Sequence, residues 1–177
     1  MIIVDEIISV DGFAARPDNG IDFFVDIDGL VDSVGDTGRM KNVAAVLLGA
    51  RTYAEFAAYW PYQDPAASVN RLPKHVLSRS LTKAPWGSLA PATVERGEAA
   101  DVARGLDASY DGDIIVWGSL SVAQSLLRRR MVDEIWLRMV PIALGDGRSF
   151  FPDQDLPLTG VEVATAPGGW LTIRYRV

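Results

Sequence analysis

Short apolar, β-rich runs alternate along the chain with stretches of helical pattern. This alternation constrains the fold more than any other feature. The runs fall at 2–10, 43–48, 75–77, 113–117, 134–142, 161–166 and 170–177. Candidate helices fall at 30–41, 53–59, 99–106 and 121–130, the last with Val122, Leu126 and Leu127 on one face. Strand–helix alternation of this kind builds an α/β domain with a largely parallel sheet. The C-terminal end breaks the rhythm. Two strand-like runs flank Pro167-Gly168-Gly169, a hairpin signal. In the second run Leu171, Ile173, Tyr175 and Val177 alternate with Thr172, Arg174 and Arg176, so one face should be buried and one wet. The Pro-rich stretches 60–73 and 84–91 read as long surface loops. No repeat or composition shift divides the chain, and 1–177 reads as one domain.

Composition removes several function classes. Hydrophobic residues make up 49% of the 177, enough for a sizeable core. There is no cysteine, which excludes disulfides, iron–sulfur clusters, zinc–thiolate sites and a Cys nucleophile. The single histidine, His75, argues against a His-rich metal site or a Ser-His-Asp triad. A net charge of −6 argues against a nucleic-acid binder. No apolar run approaches the ~18 residues of a membrane helix. The acidic N-terminus reads as a strand and not as a signal peptide, which leads to the expectation of a soluble cytoplasmic protein.

Four segments carry residue types suited to chemistry. In Ile115-Val116-Trp117-Gly118-Ser119-Leu120-Ser121-Val122 an apolar strand runs through Gly-Ser into a helix. Such a turn aims backbone N–H groups and a positive helix end at one spot, which suits a phosphate. In Leu48-Gly49-Ala50-Arg51-Thr52 another strand meets a helix through Gly, with Arg51 able to grip a phosphate and Thr52 able to cap. A third strand ends in Ser78-Arg79-Ser80, a site for the 2′-phosphate of a dinucleotide. Ser9-Val10-Asp11-Gly12 marks a sharp turn after the first strand. Each has an ordinary structural use as a turn, cap or solvated strand end. Three of them on the carboxyl edge of one sheet favour a nucleotide-type ligand, because open α/β sheets bind ligands there.

Taken together these segments resemble the RibD C-terminal-domain (riboflavin-biosynthesis reductase-like) branch of the dihydrofolate-reductase-like superfamily. The resemblance rests on five elements in order: SVDGFAA, VLLGARTYAEFAAYWP, NRLPKHVLSRSL, DIIVWGSLSVAQSLL and VDEIWLRMVPIALGDGRSFF. It implies a mixed, mostly parallel eight-stranded sheet flanked by helices and binding NADPH. By the same resemblance Ile7 and Ala14 lie near the nicotinamide, and Arg51 and Thr52 face the adenosine phosphates. Ser78 and Arg79 sit near the 2′-phosphate, and Gly118, Ser119, Leu120, Ser121 and Val122 cradle the diphosphate. The Gly118–Ser119 bond corresponds to a cis peptide in dihydrofolate reductases.

Two departures stand out. The family's first Arg after the Gly is Ala50 here. Dihydrofolate reductases carry one carboxylate on the first helix, whereas this region offers Asp22, Asp26, Asp28 and Asp32. Asp32 falls nearest the expected place, and the candidate catalytic carboxylates are Asp32 and Asp11. Trp136 is expected in the core or at the substrate cleft. The expected activity is NADPH-dependent hydride transfer to a C=O or C=N of a small heterocyclic or sugar-bearing, pyrimidine- or pteridine-like substrate, with no metal. The rival expectation is a nucleotide-binding module without turnover. The zinc deaminase signature of the bifunctional riboflavin enzyme is absent, so a stand-alone reductase-like domain is expected, and family analogy adds a homodimer.

Overall fold

A computed structural model describes residues 1–33, 39–63 and 68–177, the side chains of Val31 and Asp32 excepted. In chain order the first half contains β1 (Ile2–Ser9), β2 (Phe13–Ala15), α1 (Asp22–Val25), α2 (Leu30–Ser33), β3 (Val43–Gly49) and α3 (Ala50–Tyr59). Then come α4 (Ser68–Arg71), β4 (Lys74–Leu77), β5 (Ala84–Trp86), β6 (Leu89–Glu95) and α5 (Ala99–Ser109). The second half adds β7 (Asp113–Trp117), α6 (Leu120–Arg128), β8 (Glu134–Val140), β9 (Arg148–Ser149), β10 (Thr159–Thr165) and β11 (Leu171–Arg176).

The apolar run of β1 places it at the centre of the sheet, paired in parallel with β7 on one side and β8 on the other. The order is β10-β11-β8-β1-β7-β3-β4-β6-β5. The pairs from β8 through β6 are parallel, and β5, β10 and β11 are antiparallel additions. Residues alternate between the two faces along each central strand. Ile114 and Val116 join one core with Ala103, Leu106, Leu126 and Leu127 of α5 and α6. Ile115 and Trp117 join the other with Tyr53, Trp60 and Trp86. Burying Leu126 and Leu127 completely contributes about 1.5–3 kcal/mol each and docks α6 on the sheet.

Among the described residues the main sheet has nine strands, not the eight expected. The added strands include β5, inside a stretch that reads from sequence as a loop. Proline cannot donate to a ladder, but an edge tolerates it. Pro85 lies on the edge strand, and Pro91 precedes the residues of β6 that pair with β4. The fully buried Trp86 fixes that edge. The 60–73 stretch is likewise not a plain loop: Trp60 opens a short 3₁₀ turn, and the buried Val69 lies on α4. Of the described residues in candidate helix 30–41, Leu30–Ser33 form α2, and 34–38 lie outside the described residues. The C-terminal hairpin forms as expected, with Gly169 at φ +77° in its turn. Trp170 at its base is buried, and its Nε1–H donates to Asp28 O at 3.2 Å. No described helix is long and apolar enough to cross a membrane.

Candidate active site

Two strand-to-helix turns meet at the carboxyl edge of the sheet and are bonded to each other. Gly49 N–H donates to Ser119 Oγ at 2.8 Å, and that hydroxyl donates to Trp117 O at 3.0 Å. Ser119 N–H donates to Thr52 Oγ1 at 3.0 Å. Gly118 and Ser119 have φ of +53° and +59°, both left-handed. A Cβ on Gly118 would lie 3.3 Å from Thr52 Cγ2, so glycine suits both the backbone angle and the close approach. The Gly118–Ser119 peptide is trans, contrary to the cis bond of the resemblance. Two successive left-handed residues carry the chain around the corner instead.

The turns border a cavity of about 1190 Å³. All twelve residues predicted to bind a cofactor line it: Ile7, Ala14, Gly49, Arg51, Thr52, Ser78, Arg79, Gly118, Ser119, Leu120, Ser121 and Val122. The hydroxyls of Thr52 and Ser119 hold the turns, and Ser78 Oγ accepts from Leu81 N–H at 3.1 Å. The groups left for a ligand are others. Arg51, Arg79 and Arg148 are exposed at the cavity, and none forms an ion pair with a described residue. In the first turn of α6, Val122 and Ala123 N–H donate to Ser119 O. The N–H groups of Leu120 and Ser121 have no acceptor among the described residues. The N-termini of α3 and α6 thus bring two positive helix ends to one space.

The cavity floor lies on β1 and β8. Arg138 is 2% exposed and pairs through Nη1 with Asp5 Oδ1. Its Nε donates to Ser33 Oγ at 2.9 Å and its Nη2 to Ser33 O at 3.1 Å. Asp5 Oδ2 is buried without a partner among the described residues. Glu6, the next residue, lines the cavity, and its carboxyl is pushed up to about 8, chiefly by burial. Phe56, Trp60 and Trp117 form an aromatic wall, with the two indoles stacked at 6.1 Å.

Asp11 does not reach this space. Its Oδ1 accepts from Ser9 Oγ at 2.6 Å and Leu144 N at 3.1 Å, and its Oδ2 accepts from Gly145 N at 2.8 Å. These bonds, led by Ser9, lower its carboxyl to about 2. This carboxylate, held ionised outside the cavity, clasps the loop after β8 to the end of β1. Asp32 falls on α2, and its side chain lies outside the described residues. Trp136 is buried away from the cavity, with its Nε1–H donating to Glu134 and Arg39 over its ring. Sequence reasoning missed Asp5, Glu6 and Arg138. Two adjacent acids inside an apolar strand were the available signal, because charges are rare in a central strand.

The cavity exceeds the roughly 300–1,000 Å³ typical of drug-sized ligands. With three unpaired arginines and two helix N-termini, its residues fit a phosphate-bearing dinucleotide with room beside it for a small ring.

Sheet order, mixed edges and the position of the cavity define an α/β protein of the dihydrofolate-reductase-like fold. The chain belongs to the RibD C-terminal domain family, which matches residues 1–172. It is similar to a putative riboflavin biosynthesis protein from Shewanella sp. PV-4, with TM-score 0.79 and 22% identity over 99% of this chain and 97% of that one. It is also similar to dihydrofolate reductase from Enterococcus faecalis complexed with NADP(H), with TM-score 0.66 and 14% identity, covering 99% of this chain and 95% of that one. A third similar structure is a diaminohydroxyphosphoribosylaminopyrimidine deaminase/5-amino-6-(5-phosphoribosylamino)uracil reductase from Thermotoga maritima. There the TM-score is 0.71 and the identity 16%, over 99% of this chain and 56% of that one.

Proposed function

We propose that the protein is an NADPH-dependent reductase acting on a C=O or C=N bond of a small pyrimidine-like substrate. The observation that carries this reading is the convergence of Arg51, Arg79 and the open first turn of α6 on one large cavity at the carboxyl edge of the sheet. In this reading Leu120 and Ser121 N–H bind the diphosphate, aided by the helix dipole. Arg79 takes the 2′-phosphate through its planar fork, and Ser78 orders the turn that carries it. Ile7 and Ala14 border the nicotinamide end. When bound, the reduced nicotinamide supplies the hydride. The chain orients the reactants, and the buried Asp5–Arg138 pair keeps the cavity floor in place. Phe56, Trp60 and Trp117 keep water from one wall. The NADP(H) complex and the uracil-reductase name among the similar structures support the assignment.

Titration with NADPH and separately NADH, followed by tryptophan emission, tests it, because Trp60 and Trp117 border the cavity. NADPH should bind tighter than NADH. Arg79→Ala should weaken NADPH about tenfold or more, the worth of a lost charged hydrogen bond, and leave NADH nearly unchanged. Failure of both dinucleotides to bind would refute the reading.

A further inference from the structure

Reducing a C=O or C=N bond takes a proton as well as a hydride, and Asp11 stands outside the cavity. Four acids of the described residues line it: Asp5, Glu6, Glu55 and Glu98. Glu55 and Glu98 are exposed, and Glu98 lies 3.7 Å from Arg129. Asp5 is paired with Arg138.

Glu6 differs from all three. Successive side chains on a strand face opposite sides, so Glu6 points away from Asp5. Arg138 stands opposite Ile7 in the β1–β8 register and serves the Asp5 side. Glu6 forms no ion pair with a described residue, and its one hydrogen bond is accepted from Ile7 N–H at 3.2 Å. A Cβ on Gly118 would lie 4.0 Å from Glu6 Oε1, so the absent side chain keeps the approach to this carboxyl open. Asp5 on β1 opposes its ionisation, and Arg138 on β8 favours it. Arg51 and Glu55 of α3, Arg79 after β4, Glu98 before α5 and Arg148 of β9 also border the cavity, whereas β7 and α6 bring no charge to it. Burial outweighs these and keeps the carboxyl protonated at neutral pH.

We propose that Glu6 is the proton donor of the reduction, a role that rests on the NADPH-reductase reading. Adding a hydride to carbon leaves the electron pair of the double bond on its oxygen or nitrogen. The O–H bond of Glu6 breaks, the proton joins that pair, and the bonding electrons stay on the carboxylate. Solvent then returns a proton to Glu6. The hydride and its two electrons come from the reduced nicotinamide, which is oxidised.

The test compares the wild-type protein with Glu6→Gln. Carboxyl-labelled NMR should show one glutamate resonance that titrates near pH 8 and disappears in the variant. Both proteins should bind NADPH equally at pH 6.5. With NADPH and 5-amino-6-(5-phosphoribosylamino)uracil as probe, single-turnover reduction by the wild type should fall as pH rises through 8. The variant should be slower by about 10²-fold or more and lose that pH dependence. A Glu6 resonance that titrates in the ordinary glutamate range overturns the proposal. So does a variant that keeps the wild-type rate and profile, or a wild type that binds NADPH without reducing the probe. NADPH failing to bind either protein while Glu6 still titrates near 8 overturns the reductase reading itself, and the donor role with it.

Discussion

Replacing Glu6 by glutamine separates the charge of this side chain from its shape, and the consequence for folding can be worked out. Burial raises the folded carboxyl from 4.5 to about 8; Asp5 adds to the rise, while the Ile7 N–H bond and Arg138 oppose it. In the unfolded chain the group ionises in the ordinary glutamate range. Between those values the native state holds one proton more than the unfolded state, so stability falls as pH rises, by about 1.4 kcal/mol per pH unit. The full stability is present below the unfolded value, and the loss is complete above the folded one. Over a window of about three and a half pH units the loss reaches at most about 5 kcal/mol, a large share of the roughly 5–15 kcal/mol that holds a domain. Glutamine still accepts the Ile7 N–H bond and cannot ionise. Glu6→Gln should therefore be close to wild type in stability at pH 4 and increasingly more stable than wild type up to pH 8. Urea denaturation of both proteins at several pH values measures this directly, because titrating groups not coupled to Glu6 cancel in the difference. Two parallel stability–pH curves would refute the reasoning, and so would an advantage of the variant that shrinks as pH rises.

Three further outcomes are expected. Arg138→Met leaves Asp5 buried and unpaired, and should cost about 3–5 kcal/mol in urea denaturation. Adding Asp5→Asn to that variant should recover part of the loss. Gly118→Ala puts an L side chain at φ +53° against Thr52, and should cost about 1–2 kcal/mol while weakening NADPH binding measured by tryptophan emission. Asp11→Ala frees the Leu144 and Gly145 amides, whose hydrogen exchange should accelerate; in the wild type this clasp persists above pH 3.8 and is lost as pH falls through about 2.

The two glycine turns at the cavity are legible in the sequence because each is local. Strand, Gly and helix are consecutive at Gly49–Arg51 and Gly118–Ser121, and a helix N-terminus carries its own electrostatics wherever it lies. The clasp at Asp11 is not legible in the sequence, because a DG turn has two uses. The partners that settle it, Leu144 and Gly145, lie 133 and 134 residues away. The Pro-rich 84–91 stretch misled for a different reason. Proline argues against a central strand, and only the sheet order reveals that β5 is an edge.

By itself the sequence determined the parallel α/β body, the C-terminal hairpin and the edge where the glycine turns gather. Periodicity and turn chemistry act over a few neighbouring residues, and the chain displays them without folding. Tertiary structure alone decided which charges are usable. Asp5 and Glu6 are neighbours of the same type, yet Arg138, 133 residues from Asp5, is brought by β8 to one face of β1 and not the other. One acid is thereby paired with a cation, while the other, partly buried and without an ion pair among the described residues, has its carboxyl shifted toward the protonated form.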